Sequence, residues 1–244
     1  MSKIENKVVI FCNGRSGSHL LGSFIDQHPL IYFDYEQFGA AMKMKYTTKL
    51  IYYFGSHLPR PFLKWRMSKA KEKGGYGISF HLDDYKHTSF RINDFHKQGF
   101  KIIRLNRDDS LTQMLSHQVA FSTKTWHRRE GGEKPNEERA QITLDIQKCL
   151  YNIKYFIDVK EKLDKELAEL PHLYLSYEGH LQKQEKHQAT ANKVFDFIGV
   201  NRIELRPSKF KPTYKKPYSE LILNYKEFVD AAKAKGFLNQ NHPY

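Results

Sequence analysis

Val8-Val9-Ile10-Phe11-Cys12-Asn13-Gly14-Arg15-Ser16-Gly17-Ser18-His19-Leu20-Leu21 is the stretch that decides how the whole chain is read. A β-branched apolar run that stops at Asn-Gly predicts a short buried strand. From Ser18 onward, Leu20, Leu21, Phe24 and Ile25 recur at helical spacing until His28-Pro29 ends the pattern. A strand that enters a helix through a Gly/Ser loop is the first half of a βα unit, and such units build parallel sheets covered by helices. The loop itself suits an anion. Glycines allow close backbone approach, and the first amides of the helix point outward with the helix dipole behind them. Arg15 adds a planar charged fork, and Ser16 and Ser18 add hydroxyl donors. A Walker A loop is excluded, because GxxxxGK[ST] needs a Lys followed by Ser or Thr and neither stands in register. Read alone, the stretch also fits an ordinary tight turn with a surface arginine.

Working outward, the same alternation continues. Leu30 to Phe33 and Tyr76 to Phe80 read as extended segments, Asp94 to Gln98 as a short helix, and Phe100 to Leu105 as the clearest strand after the first. Leu111, Met114, Leu115 and Val119 trace a helix face, and 126–138, with Gly131-Gly132 and Pro135, reads as a surface loop. A long helix is marked from Ile142 through Ile146, Leu150 and Ile153 to Leu167, followed by a strand at 172–176. A helix over 183–198 is closed by Gly199, a basic loop covers 203–218, and a last helix spans 219–235. No repeat or linker interrupts this order. The expectation is one α/β domain over residues 1–244, a P-loop-like parallel sheet flanked by helices on both faces.

Composition narrows the class. At 244 residues, the chain can bury a core without staples, and Cys12 and Cys149 form no CxxC, which argues against a disulfide scaffold or a cysteine zinc site. With 40% hydrophobic and 27% charged residues it is neither disordered nor a coiled coil. Forty Lys and Arg against 27 Asp and Glu give +13, an attraction for nucleotides, acidic glycans, nucleic acid or an anionic membrane. The first residues lead into only a five-residue apolar run, neither a signal peptide nor a membrane span, so the reading is a soluble cytoplasmic protein. His180 and His187 lack any HExxH pattern, and no metal is expected.

The run from Asn13-Gly14-Arg15-Ser16-Gly17-Ser18-His19-Leu20-Leu21-Gly22 to Asp26-Gln27-His28-Pro29 and Tyr35-Glu36 resembles the opening of carbohydrate sulfotransferases. These enzymes use 3′-phosphoadenosine 5′-phosphosulfate (PAPS) as donor. The resemblance implies that Gly14, Arg15, Ser16, Gly17, Ser18 and His19 hold the 5′-phosphosulfate, although the usual residue at position 19 is Ser or Thr. Lys101-Ile102-Ile103-Arg104-Leu105-Asn106-Arg107 with Ser116 is similar to the family's 3′-phosphate site, an Arg at a strand end and a Ser in the next helix. An Arg fork and a hydroxyl two turns along can grip a dianion from two sides. His172 to Glu178, and Lys209 to Tyr218 with Asn224-Tyr225, resemble a late strand followed by Tyr-Glu and a C-terminal loop and helix.

Sulfuryl transfer also needs a base for the acceptor hydroxyl and positive charge for the developing oxyanions. In related glycan sulfotransferases a Glu at the place of Glu36 is the proposed base. His81 resembles the strand-end histidine of cytosolic sulfotransferases, with Ser79 standing where a Lys is usual nearby. Glu36 is expected to be the base, His81 the second candidate, and Arg15 the charge stabiliser. Residues 42–73 are basic and aromatic, and within them the run Lys49-Leu50-Ile51-Tyr52-Tyr53-Phe54 with Pro59 to Arg66 suits an acceptor groove, a peripheral membrane contact or core. The expected activity is PAPS-dependent sulfation of a carbohydrate or glycolipid hydroxyl, without a metal and without a nucleic-acid partner. The alternatives are a nucleotide-dependent kinase and a non-catalytic binder of nucleic acid or sulfated glycans.

Overall fold

A computed structural model of the chain describes residues 4–40, 55, 57–126, 128–129, 141–208, 210–211 and 216–238. It divides into two compact units, Met1–Asp108 with Lys162–Ser208, and Asp109–Glu161 with Lys209–Tyr244.

The first unit is an α/β sandwich. Strands β1 (Asn6–Cys12), β2 (Ile31–Glu36), β3 (Gly75–His81), β4 (Lys101–Asn106) and β5 (His172–Ser176) form one sheet in the order β2-β3-β1-β4-β5, every neighbouring pair parallel. The apolar run of β1 follows from its central place, since a strand covered on both faces has no polar side. Val8, Ile10 and Cys12 pack with Leu21, Phe24 and Ile25 of α1 (Ser18–Asp26) and with Val194, Phe195 and Ile198 of α7 (His187–Ile198). On the opposite face Phe11 meets Phe80 at 5.3 Å and Phe95 of α4 (Ile92–Lys97) at 5.6 Å between ring centroids. Phe38 of α2 (Gln37–Ala40) and Phe62 of α3 (Pro59–Met67) extend this aromatic layer, 5.3 Å apart. Phe33 lies so close to Gly22 and Gly77 that a methyl at either position would overlap its ring.

In the second unit α5 (Ser110–Thr123), the first turns of α6 (Ile146–Leu167) and α8 (Tyr225–Ala234) share a core. Leu111, Met114 and Leu115 pack there with Leu150, Ile153 and Phe228.

Several boundaries differ from the sequence reading. The helix read over 183–198 begins at His187, after a separate turn at Gln184–Lys186, and that read at Asp94 to Gln98 spans Ile92–Lys97. The second extended segment runs on to Glu36 as β2. The long helix begins at Ile146, because Ile142 is drawn into a parallel bridge with Ile222: Ile142 donates to the Leu221 carbonyl and Leu223 donates to that of Ile142. The same bridge breaks the last helix into Tyr218–Leu221 and Tyr225–Ala234, with Asn224 bonded to the Leu144 backbone through both side-chain atoms. Most of the 126–138 loop, residues 42–54, Lys209 and residues 212–215 lie outside the described residues. Both cysteines are free and buried. No helix among the described residues is long and apolar enough to cross a membrane.

Candidate active site

Five parallel strands put five carboxyl ends on one edge. β1 is followed by a connection to β2 on one side, while β4 connects to β5 on the other, so β1 and β4 flank the point where the winding reverses. In open α/β sheets that crevice is where ligands bind.

The loop after β1 is shaped for close approach. Arg15 and Gly17 both take left-handed backbone conformations, with φ of 65° and 92°. Glycine is required at position 17, since a Cβ there would meet Tyr177 Cδ2 at 2.9 Å in a conformation that L side chains avoid. The Ser16 hydroxyl donates to the Asn13 carbonyl at 2.7 Å, tying the loop to itself. Ser16 and Ser18 are buried, and Gly14 borders open space. Asn13 is buried as well, and its Nδ2 donor has no acceptor among the described residues. The first amides of α1 lack helical partners by construction. An orphaned amide donor beside a helix start suits an anionic oxygen.

Arg107, at the end of β4, reaches back to this loop. Its Nη1 donates to the Arg15 carbonyl at 3.0 Å, and its guanidinium lies 4.7 Å from the centre of the Tyr177 ring. Glu178 accepts from the Asp108 amide at 2.9 Å and stands 3.7 Å from Arg107 Nε. The weakly recognised Tyr-Glu segment thus holds the arginine in place, a role its sequence alone did not disclose. Ser116, buried on α5, belongs to the second unit, one turn after the buried Gln113.

The most unusual group is a carboxylate between two imidazoles. His19 Nε2 lies 3.0 Å from Glu36 Oε1, and His81 Nε2 lies 3.1 Å from the same oxygen. The second is an ion-pair contact rather than an aligned hydrogen bond. Oε2 has no protein partner among the described residues. Local backbone irregularity creates this placement. Tyr35 has φ of 50°, and the β2–β3 register shifts between Phe33 and Glu36, as a bulge does when it re-aims a side chain. Tyr35 then stacks on the His19 ring with centroids 5.2 Å apart. His19 therefore faces the carboxylate: one ring nitrogen contacts Glu36 and the other, Nδ1, is buried.

Electrostatics follow from the crowding. Burial pushes the Glu36 carboxyl up, but the His81 charge and the imidazole contacts outweigh it and hold the group well below the usual carboxylate range. Burial disfavours the His81 imidazolium, yet the adjacent Cys12 sulfur, its register partner on β1, and Glu36 raise it well above its ordinary value. The two groups titrate as a pair. Beside them Asp84 accepts from the His81 amide at 2.8 Å, and burial pushes its carboxyl up to about 6.

That shift predicts a pH dependence. A carboxyl raised in the folded state favours folding while protonated, and the contribution is lost as pH rises from about 4 to about 6. Asp84→Asn retains an acceptor for the His81 amide without the buried charge. It should gain about 3 kcal/mol on the native protein across that window, read by urea unfolding at each pH. A constant difference between the two proteins would contradict the assignment.

Among the described residues no group of three or more His, Cys, Asp and Glu is placed to hold a metal ion. No protein-family model matches the chain, and no curated protein matches it in sequence. Fold and site together define an α/β protein with an anion-shaped loop and a carboxylate–imidazole cluster on one sheet edge.

Proposed function

We propose that the protein is a PAPS-dependent sulfotransferase acting on a hydroxyl of a glycan or glycolipid. The observation that carries this reading is the contact of His19, in the first turn of the loop's own helix, with Glu36. It ties a candidate base to a candidate anion site.

In this reading the first amides of α1, Asn13 Nδ2 and the Arg15 guanidinium hold the phosphosulfate oxygens, supplying positive field where charge develops. Arg107 steadies the loop through the Arg15 carbonyl, and its Nη2, without a protein acceptor among the described residues, is available to the 3′-phosphate. The donor supplies an activated sulfuryl group. Glu36 Oε2 takes the proton of the attacking hydroxyl while Oε1 stays against the two imidazoles. A carboxylate held this low is a weak base while His81 is charged, so turnover should rise with pH as the Glu36–His81 pair loses its proton.

Position 19 serves the base rather than the donor in this account, a departure from the Ser or Thr usual there. His19→Ala should lower kcat by roughly tenfold or more, as lost positioning does, with donor KM little changed. A rise in donor KM at unchanged kcat would return His19 to the phosphosulfate site. The activity itself is tested by transfer of labelled sulfate from PAPS to a panel of sugars and glycolipids. The expected result is a labelled acceptor whose formation stops in the Arg15→Ala variant.

A further inference from the structure

We propose that the outer face of α3 and the turn after it, from Leu58 to Lys69, form a docking surface for an anionic lipid bilayer, an inference independent of the sulfotransferase reading. Residues 37–71 contain eight Lys and Arg and no Asp or Glu, so this short segment supplies eight of the chain's net +13. Its described part is presented rigidly. Phe62 and Leu63 are buried, and Arg66 Nε donates to the buried Asp34 at 2.6 Å, fixing the inner face of the helix to the sheet edge.

The outer face combines two chemistries. Leu58 and Trp65 are seven residues apart and so lie on one side, 50% and 41% exposed, with Pro61 exposed between them. Lys64 and Lys69 are exposed beside this stripe and have no acidic partner among the described residues, and Lys69 Nζ stands 5.1 Å from the centre of the Trp65 ring. Arg66 and Arg60 are already committed, to Asp34 and to Asp94. An apolar stripe rimmed by lysines gains from lying in the headgroup region, where indole rings reside and lysine stems reach up to the phosphates. A nucleic acid would use the charge and leave Leu58 and Pro61 unrewarded, which is why the bilayer is favoured.

The test is co-sedimentation with vesicles of phosphatidylcholine, with and without phosphatidylglycerol. The protein should bind only the anionic vesicles, and Lys64→Glu with Lys69→Glu should weaken binding by roughly thirtyfold or more, since each lysine near such a surface contributes about fivefold. In a Trp126→Phe background the emission of Trp65 should shift to the blue on binding and be quenched by brominated acyl chains. Trp65→Ala should weaken binding while leaving its salt dependence unchanged. Equal binding to neutral and anionic vesicles, or full binding by the double lysine variant, would overturn the proposal. So would retention of single-stranded RNA by a protein that ignores both kinds of vesicle, which would assign the surface to a polyanion.

Discussion

Glu36→Gln should bind 3′,5′-ADP as tightly as the native protein and turn over about 10²–10⁴-fold more slowly. Glutamine keeps the shape and the contact with His19 while removing the basicity. Donor binding survives because the loop's own donors do not depend on the carboxylate. His81→Ala should fall nearly as far, since carboxylate and imidazole are paired across 3.1 Å and each sets the other's protonation, and the double variant should be little worse than either single one. Independent, multiplying losses would mean that the groups act separately. Near-normal turnover in Glu36→Gln with an inactive His81→Ala would transfer the base to the histidine.

Arg107→Ala should lower 3′,5′-ADP affinity by about 10- to 150-fold, the cost of a charge-assisted contact worth ~1.5–3 kcal/mol, and should affect 5′-AMP much less. The side chain is 12% exposed and holds the Arg15 carbonyl at 3.0 Å, so its removal should also lower thermal stability. Arg107→Lys separates the two effects. It restores the charge without the fork that reaches loop and ligand together, so stability should recover only in part. Equal losses for the two nucleotides would limit Arg107 to supporting the loop.

The sheet could be read from the sequence because its strands carry short apolar runs, unbroken in β1 at Val8 to Cys12, that alternate with helical spacing and turn residues. The turn into α1 was equally legible, since Gly14, Gly17 and the helix start are local features. What stayed hidden depends on register and on single backbone angles. Cys12 meets His81 only because β1 and β3 pair in a particular parallel register. Glu36 meets His19 only because Tyr35 turns left-handed and the β2–β3 pairing slips beside it. Helix periodicity also overran twice in the second unit, where Ile142 and Ile222 satisfy the helical pattern but form a bridge instead. Tyr177 and Glu178 carried no chemical signature. Their importance comes from standing at the carboxyl end of β5, against the arginine that β4 delivers.

Calorimetric titration of the native protein with 3′,5′-ADP, 5′-AMP and ATP with Mg²⁺ tests the account at its centre. It predicts 3′,5′-ADP binding at least ~10-fold tighter than 5′-AMP, because an arginine-held 3′-phosphate adds more than ~1.4 kcal/mol, and weaker binding of ATP with Mg²⁺. Equal affinity for 3′,5′-ADP and 5′-AMP, or a preference for ATP with Mg²⁺, would contradict it.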